Sequence, residues 1–275
     1  MRRRLRINQI AADFSRKPIS ESRVLDIASY EGYFSEEFAL RGAEVLGVEG
    51  RLTNIRRGEE RIDLSSLPNL KFVHDDVRNI SKEKYGEFDI ILCLGLLYHL
   101  DSPDCFTLLE SIAEMCTGVA IFDTHIGFTR KRKVRHKGND YWGWQFTEYD
   151  KAPTLEETEE STWSSIGNVK AFWPTKPSLV NAMVDAGFNS VYESQFPAWN
   201  DMPSDRIALV GLKGKTEPIL GKDFDEDFDE SIVGERVDEL PRVGAIYQDH
   251  PIYSALKLKA NRIARRLGLR KANRY

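Results

Sequence analysis

The sequence predicts an α/β fold, doubly wound around a mostly parallel sheet. Two observations carry that reading. Between Val24 and about Gly127, short apolar strands alternate with helical stretches, the pattern of a parallel sheet covered on both faces. Each of those strands also ends in polar residues. A sheet made only for stability has no need of this, but a sheet that binds a ligand at its carboxyl edge does.

The strand candidates are "VLDI", "EVLGVE", "KFVHDD", "FDIILCLG" and "VAIFDTH". Each is rich in branched or aromatic residues and of strand length. Between them, "GYFSEEFALRG" sets Phe34 and Phe38 one helical turn apart and stops at Gly42. "SPDCFTLLESIAEMC" repeats apolar residues at Phe106, Leu109, Ile112 and Met115. Further on, "TKPSLVNAMVDAGF" offers Thr175 as a helix cap, Pro177 in the first turn and Gly187 at the stop. Two more strands are expected at Val191–Phe196 and Arg206–Leu212. They complete a seven-stranded sheet.

Residues 128–170 break the rhythm. They are polar and aromatic, with Tyr141, Trp142, Trp144, Phe146 and Trp163. Aromatics at this density argue against disorder, so the segment is expected to be a substrate lid within a domain spanning 20–215. Residues 1–19 are expected to form an N-terminal helix. The first residues are charged but lack the apolar core of a secretory signal. Residues 216–248 read as an acidic linker and 249–275 as a basic helix, striped by Leu256, Ala260, Ile263 and Leu267. Such a helix fits either an anionic membrane surface or packing on the domain.

The bulk numbers narrow the class. The 275 residues carry a net charge of -4 and are 41% hydrophobic, ordinary for a globular protein and unlike one that coats nucleic acid. The longest apolar runs fall short of a membrane span. Cys93, Cys105 and Cys116 sit in apolar surroundings. They read as reduced core thiols of a cytoplasmic protein, without disulfide or metal-ligand spacing.

The strand ends supply the chemistry. Asp26, Ala28 and Gly32 follow the first strand, Glu49, Gly50 and Arg51 the second, and Asp76 and Val77 the third. Leu94, Tyr98 and His99 follow the fourth, and Asp123 and His125 the fifth. A carboxylate closing the second strand suits two ribose hydroxyls, unless it is simply a solvated acid. Asp76 beside apolar Val77 suits an adenine. The first turn lacks G-x-G-x-x-G, and Asp26 and Glu31 would repel a pyrophosphate. An acidic turn prefers a cation. Adenosyl plus positive charge points to S-adenosyl-L-methionine, with Gly32 giving the closest backbone approach and Tyr30 turned outward over a substrate.

These segments carry a resemblance. "VLDIASYEG", "GVEGR" and "HDDVR" resemble the motifs of Rossmann-like class I S-adenosylmethionine-dependent methyltransferases over about residues 20–215. "LCLGLLYHLDSP", "GNVKAFWPTKPSLVNAMVDAGF" and "DRIALVGLKG" are similar to the catalytic domain of the tRNA wobble-uridine carboxymethyltransferases. That second likeness implies that Tyr98 and Arg206 hold a carboxylated cofactor. The chain departs from it at the first-motif glycines, which are Ala28 and Tyr30 here, and in lacking the family's N-terminal domain. Plain methyl transfer, chiefly to oxygen on a small molecule or glycan precursor, is therefore the leading expectation. A tRNA-modifying enzyme and a non-catalytic binding protein are the alternatives.

An oxygen acceptor must lose a proton, and a histidine suits that work. His99 and His125 are the candidate bases, with Asp101 and Asp123 as alternatives and a structural role open for each histidine. Tyr98 is either a ligand contact or core packing. Trp142 and Trp144 would stack on the acceptor or anchor the lid. The basic run Thr129–Lys137 would meet a phosphorylated acceptor such as tRNA, or be a solvated loop.

Overall fold

The computed structural model describes residues 2–161, 164–195 and 203–216. The linker, the C-terminal helix, Trp163 and Phe196 named above lie outside those residues. Helix α1 (Arg2–Phe14) leads into β1 (Arg23–Ile27), α2 (Tyr33–Ala39), β2 (Glu44–Glu49), α3 (Leu52–Arg61) and β3 (Leu70–His74). Then come α4 (Lys82–Tyr85), β4 (Phe88–Leu94), α5 (Asp104–Met115) and β5 (Cys116–His125). The later elements are β6 (Arg132–His136), β7 (Asn139–Thr147), α6 (Leu155–Glu160), β8 (Lys170–Pro174), α7 (Lys176–Asp185), β9 (Ser190–Glu193) and β10 (Arg206–Leu212).

Seven strands form one sheet in the order β3-β2-β1-β4-β5-β10-β9. β3 through β5 run parallel, and β10 and β9 join antiparallel. The fold is Rossmann-like and doubly wound, of the class I methyltransferase type. The order reverses between β1 and β4, so the ligand crevice belongs at their carboxyl ends.

Alternation along the strands builds two cores. Val24, Ile90, Val119 and Ile121 face α1 and α2, packing with Ile7, Ile10 and Phe38. Leu25, Ile27, Ile91, Ala120 and Phe122 face the other side, packing with α5 and α7. Strands buried on both faces read as continuous apolar runs, as these do. Cys93, Cys105 and Cys116 are buried and unpaired. Burial pushes the Cys93 and Cys116 thiols up to about 12.

The segment after β5 is not an irregular lid. It contains a second, antiparallel sheet in the order β6-β7-β8. Its hairpin turns through Lys137 and Gly138, both left-handed at φ 48° and 91°, with His136 paired to Asn139. That is a two-residue turn whose twist matches its strands. One face of this sheet packs on α5, with Phe106 4.6 Å from Tyr141 and 5.8 Å from Phe172, ring centre to ring centre. Gly143 lets β7 and β8 pack closely: a Cβ there would lie 2.4 Å from the Trp173 carbonyl and 2.6 Å from the Phe172 ring. Gly143→Ala should therefore cost about 1–3 kcal/mol, read as a lower Tm with loss of near-ultraviolet aromatic signal.

Candidate functional site

The loop after β1 answers why glycines are expected there. Ala28 and Tyr30 sit in the left-handed region at φ 55° and 57°, a conformation that costs an L-residue roughly 1–2 kcal/mol. Two hydrogen bonds hold the loop: Ser29 N–H donates to the Val48 carbonyl at 3.1 Å, and Tyr30 N–H donates to Glu49 Oε2 at 2.9 Å. Gly32 is also left-handed, at φ 75°. A Cβ there would lie 2.4 Å from the Phe72 ring. Packing against β3 thus requires a glycine here independently of any ligand.

Asp26 is buried and accepts from the Ser35 hydroxyl at 2.7 Å. Desolvation pushes its carboxyl up to about 7. Glu49 is buried too, and desolvation raises it against the hydrogen bonds it accepts. Those bonds come from Tyr30 N–H, from Arg51 N–H at 2.9 Å and from the Asn54 amide at 3.1 Å. Both acids accept from neutral hydroxyl, amide and backbone groups, so this edge is suited to a cation.

The other expected contacts divide. The Arg51 side chain points to the insert instead of the crevice: Nε donates to the Thr158 carbonyl at 2.7 Å and Nη2 to the Ser164 carbonyl at 2.6 Å. Gly50 lies under Ile166, whose Cδ1 would be 2.5 Å from a Cβ. Asp76 caps the turn Val77–Asn79 through Arg78 N–H and pairs with the Arg78 guanidinium at 2.8 Å. Asp75 is the more buried neighbour, bonded to Lys84 and Tyr85 at 2.6 Å each. These partners hold it down at about 2 against desolvation, the largest single influence. Val77 is buried and Leu94 half-buried. His74 is exposed, with Nε2 3.1 Å from the Gly50 carbonyl, rather than packed within its strand.

Beyond β4 and β5 the structure gathers the candidate bases. Tyr98, in the turn Leu97–His99, has its ring 4.2 Å from His99 and 4.6 Å from His125. His99 Nδ1 lies 2.9 Å from Glu148 Oε1, and His125 Nδ1 lies 3.0 Å from Asp205 Oδ1. Each histidine is thus oriented by a carboxylate. Neither acid was singled out in the sequence, because each lies far along the chain from its histidine. Asp123 and Asp101 are less suited as bases. Asp123 is held between Arg3 at 2.8 Å and Arg206 at 2.5 Å, and Asp101 by Arg132 at 2.5 Å. Arg206 Nη2 and the Tyr98 hydroxyl both approach Gly95, at 3.7 and 3.8 Å from where its Cβ would stand.

The outer face of the insert sheet completes this side. Trp142, Trp144 and Phe146 alternate onto it, and Trp144 pairs across from Trp173. Trp173 stacks on His125 at 5.0 Å and on Phe146 at 4.7 Å, with Trp144 edge-on at 5.6 Å. Trp144 therefore joins the histidine cluster. Trp142 sits at the outer end, under Lys133 at 5.5 Å. The basic hairpin is largely neutralised, with Arg132, Lys133 and Lys137 each on a carboxylate.

Residues 24–117 match a family model described as a methyltransferase domain. The ubiquinone biosynthesis O-methyltransferase of Psychrobacter cryohalolentis is 30% identical over 97 residues, covering 33% of this chain and 38% of that protein. The enzyme of the same name from Acinetobacter baumannii is 25% identical over 125 residues, 46% and 49% of the two chains. The chain thus spans less than half the length of these curated relatives. Among solved structures, the N-terminal domain of EvdMO1, determined in the presence of SAH and D-fucose, superposes with a TM-score of 0.61. It is 23% identical, with 77% of this chain and 83% of that one covered. An O-methyltransferase-like protein from Nostoc punctiforme superposes at 0.52 with 17% identity, covering 76% and 55%. These structural likenesses describe the fold.

The strained loop gives a direct test. Ala28→Gly relieves the left-handed backbone and returns about 0.4–1 kcal/mol of unfolded-state entropy. The net expectation is a gain of up to about 1 kcal/mol, seen as a Tm a few degrees higher.

Proposed function

We propose that this protein transfers a methyl group from S-adenosyl-L-methionine to an oxygen of a small-molecule acceptor. The observation that carries this reading is the placement of two carboxylate-oriented histidines beside Tyr98, next to an acidic cofactor edge on a methyltransferase fold. The residues fit the cofactor. The raised carboxyls of Asp26 and Glu49 suit its cationic groups. Arg3 Nη2 is buried without a hydrogen-bond partner, a donor that the cofactor's carboxylate would satisfy. Glu49 would take a ribose hydroxyl on its one remaining acceptor site, at Oε2, with Gly50, Asp76, Val77 and Leu94 along the nucleoside.

When bound, the cofactor supplies an electrophilic methyl carbon on a positively charged sulfur. Tyr98, Trp144 and Trp173 would hold the acceptor by stacking and apolar burial, with Trp142 and Tyr30 at the rim. A histidine Nε2 takes the acceptor's proton as the oxygen–carbon bond forms. The bound cofactor would also supply the leaving group, its sulfur keeping the carbon–sulfur electron pair. Such a base contributes roughly 10²–10⁴-fold, with positioning adding more. His99 is the stronger assignment, because the insert holds both its ring, through Glu148, and its carbonyl, through Asn168 at 3.0 Å.

A carboxymethyl-transferring second reading rests on Arg206 Nη2 and the Tyr98 hydroxyl converging at Gly95. An anion there would be a carboxylate on the transferred group. Arg206→Ala would then weaken the carboxylated cofactor selectively; equal weakening of both forms would favour a structural role. The neutralised hairpin lends no support to tRNA as acceptor, and no helix among the described residues is long and apolar enough to cross a membrane.

Two measurements test the main reading. Mass spectrometry of ligand carried through purification should find S-adenosylmethionine or S-adenosylhomocysteine. Calorimetry at pH 7 should show proton release on cofactor binding. Asp26, with its carboxyl raised to about 7, is partly protonated there, and an approaching cation pulls that value down. Asp26→Asn should abolish the release. Absence of binding in the wild type would remove the cofactor assignment.

A further inference from the structure

The Arg51 guanidinium is buried and, among the described residues, donates to backbone carbonyls. A buried cation is costly to place, and its fork geometry suits two carbonyls at once. Its targets lie on the insert: Thr158 at 2.7 Å, Ser164 at 2.6 Å and Ser165 at 3.4 Å. Ser165 is also the residue whose N–H donates to Glu148 Oε2 at 3.3 Å. The other oxygen of Glu148 lies 2.9 Å from His99 Nδ1. Meanwhile the Arg51 N–H donates to Glu49 Oε1 at 2.9 Å. A continuous line of polar contacts therefore runs from the acid that closes β2 to the histidine after β4.

We infer that Arg51 is a positioning residue for His99: it anchors the insert, the insert orients Glu148, and Glu148 fixes the histidine ring. This deepens the proposed function and rests on His99 as the base. It assigns roles to Arg51 and Glu148 that touch neither cofactor nor acceptor. With Nδ1–H donated to Glu148, Nε2 is left bare for the acceptor's proton. The same anchor links the two halves of the site, since the residue that presents its N–H to Glu49 also holds the segment over Gly50. Arg78 supports the far end of that segment, donating to the Ile166 carbonyl at 2.9 Å.

The test uses the full chain with R51K, E148Q and the double variant. R51K keeps the backbone N–H on Glu49 and the charge but loses the fork. Cofactor affinity by calorimetry should stay within about two-fold in R51K, while kcat falls about ten-fold or more at unchanged acceptor KM. The double variant should be no slower than the slower single one, because both act through one ring. Nitrogen NMR should show His99 as a single Nδ1–H tautomer in the wild type and as a mixture in R51K. Additive losses, or an unchanged tautomer in R51K, would overturn the inference. Activity lost only through weaker cofactor binding would also overturn it and return Arg51 to the cofactor site. A wild type that binds no cofactor, or whose His99→Ala variant keeps full kcat, would instead sink the proposed chemistry. The tautomer comparison reports on Arg51 in either case.

Discussion

The carboxylate of Glu49 is the constraint on which the acidic edge of the sheet depends. Without side-chain acceptors, two N–H groups would be orphaned in a buried place: Tyr30, in a left-handed loop, and Arg51, at the start of α3. Glu49 accepts from both, and from Asn54 as well. A buried donor left unmet costs about 1–3 kcal/mol, comparable to the strain at Ala28 and Tyr30. The carboxylate therefore stabilises a loop that lacks the glycines its shape favours. It also fixes where α3 begins, and so where the Arg51 side chain is aimed.

Two kinds of residue meet at the sheet's edge. β1 and β2 end there with acids whose burial raises them, while the turn after β4, the end of β5 and the start of β10 contribute the histidine pair, Asp123 and Arg206. Asp123 is the hinge between them. Each of its oxygens holds a guanidinium, one from α1 and one from β10. These guanidiniums bring hydrogen-bond donors beside Tyr98, while Asp123, Asp205 and Glu148 balance their charge. A ligand carboxylate would be recognised there by directed donors, and a cationic centre by the acids at β1 and β2.

The doubly wound sheet was legible in the sequence because its signal is dense: strands alternate with amphipathic helices, and polar residues recur at each strand's end. The insert was not. Its β6–β7 hairpin is marked by Lys137–Gly138, and lysine is a poor advertisement for a left-handed turn. Its strands carry charges on one side and large aromatics on both, which hides the period of two. The packing roles of Gly32 and the Arg51 side chain were missed for a related reason. Proximity to a motif suggested a ligand, whereas Phe72 and the insert, distant in sequence, set their environments. Glu148 and Asp205 illustrate the same limit, since an acid 49 or 80 positions away from its histidine leaves no local pattern.

The insert also explains why its aromatics can serve the site without being mobile. Gly127 brings it within backbone contact of the domain, since a Cβ there would lie 2.7 Å from the Trp173 carbonyl. Trp173 is in turn pinned by its indole N–H on the Tyr98 carbonyl at 2.8 Å. The ring stacked on His125 is therefore tied to the same turn that carries Tyr98 and His99. An acceptor stacked on this wall would meet both histidines at distances set by packed rings and one short hydrogen bond. Orientation of this kind acts on the transition state by limiting the geometries the acceptor can take.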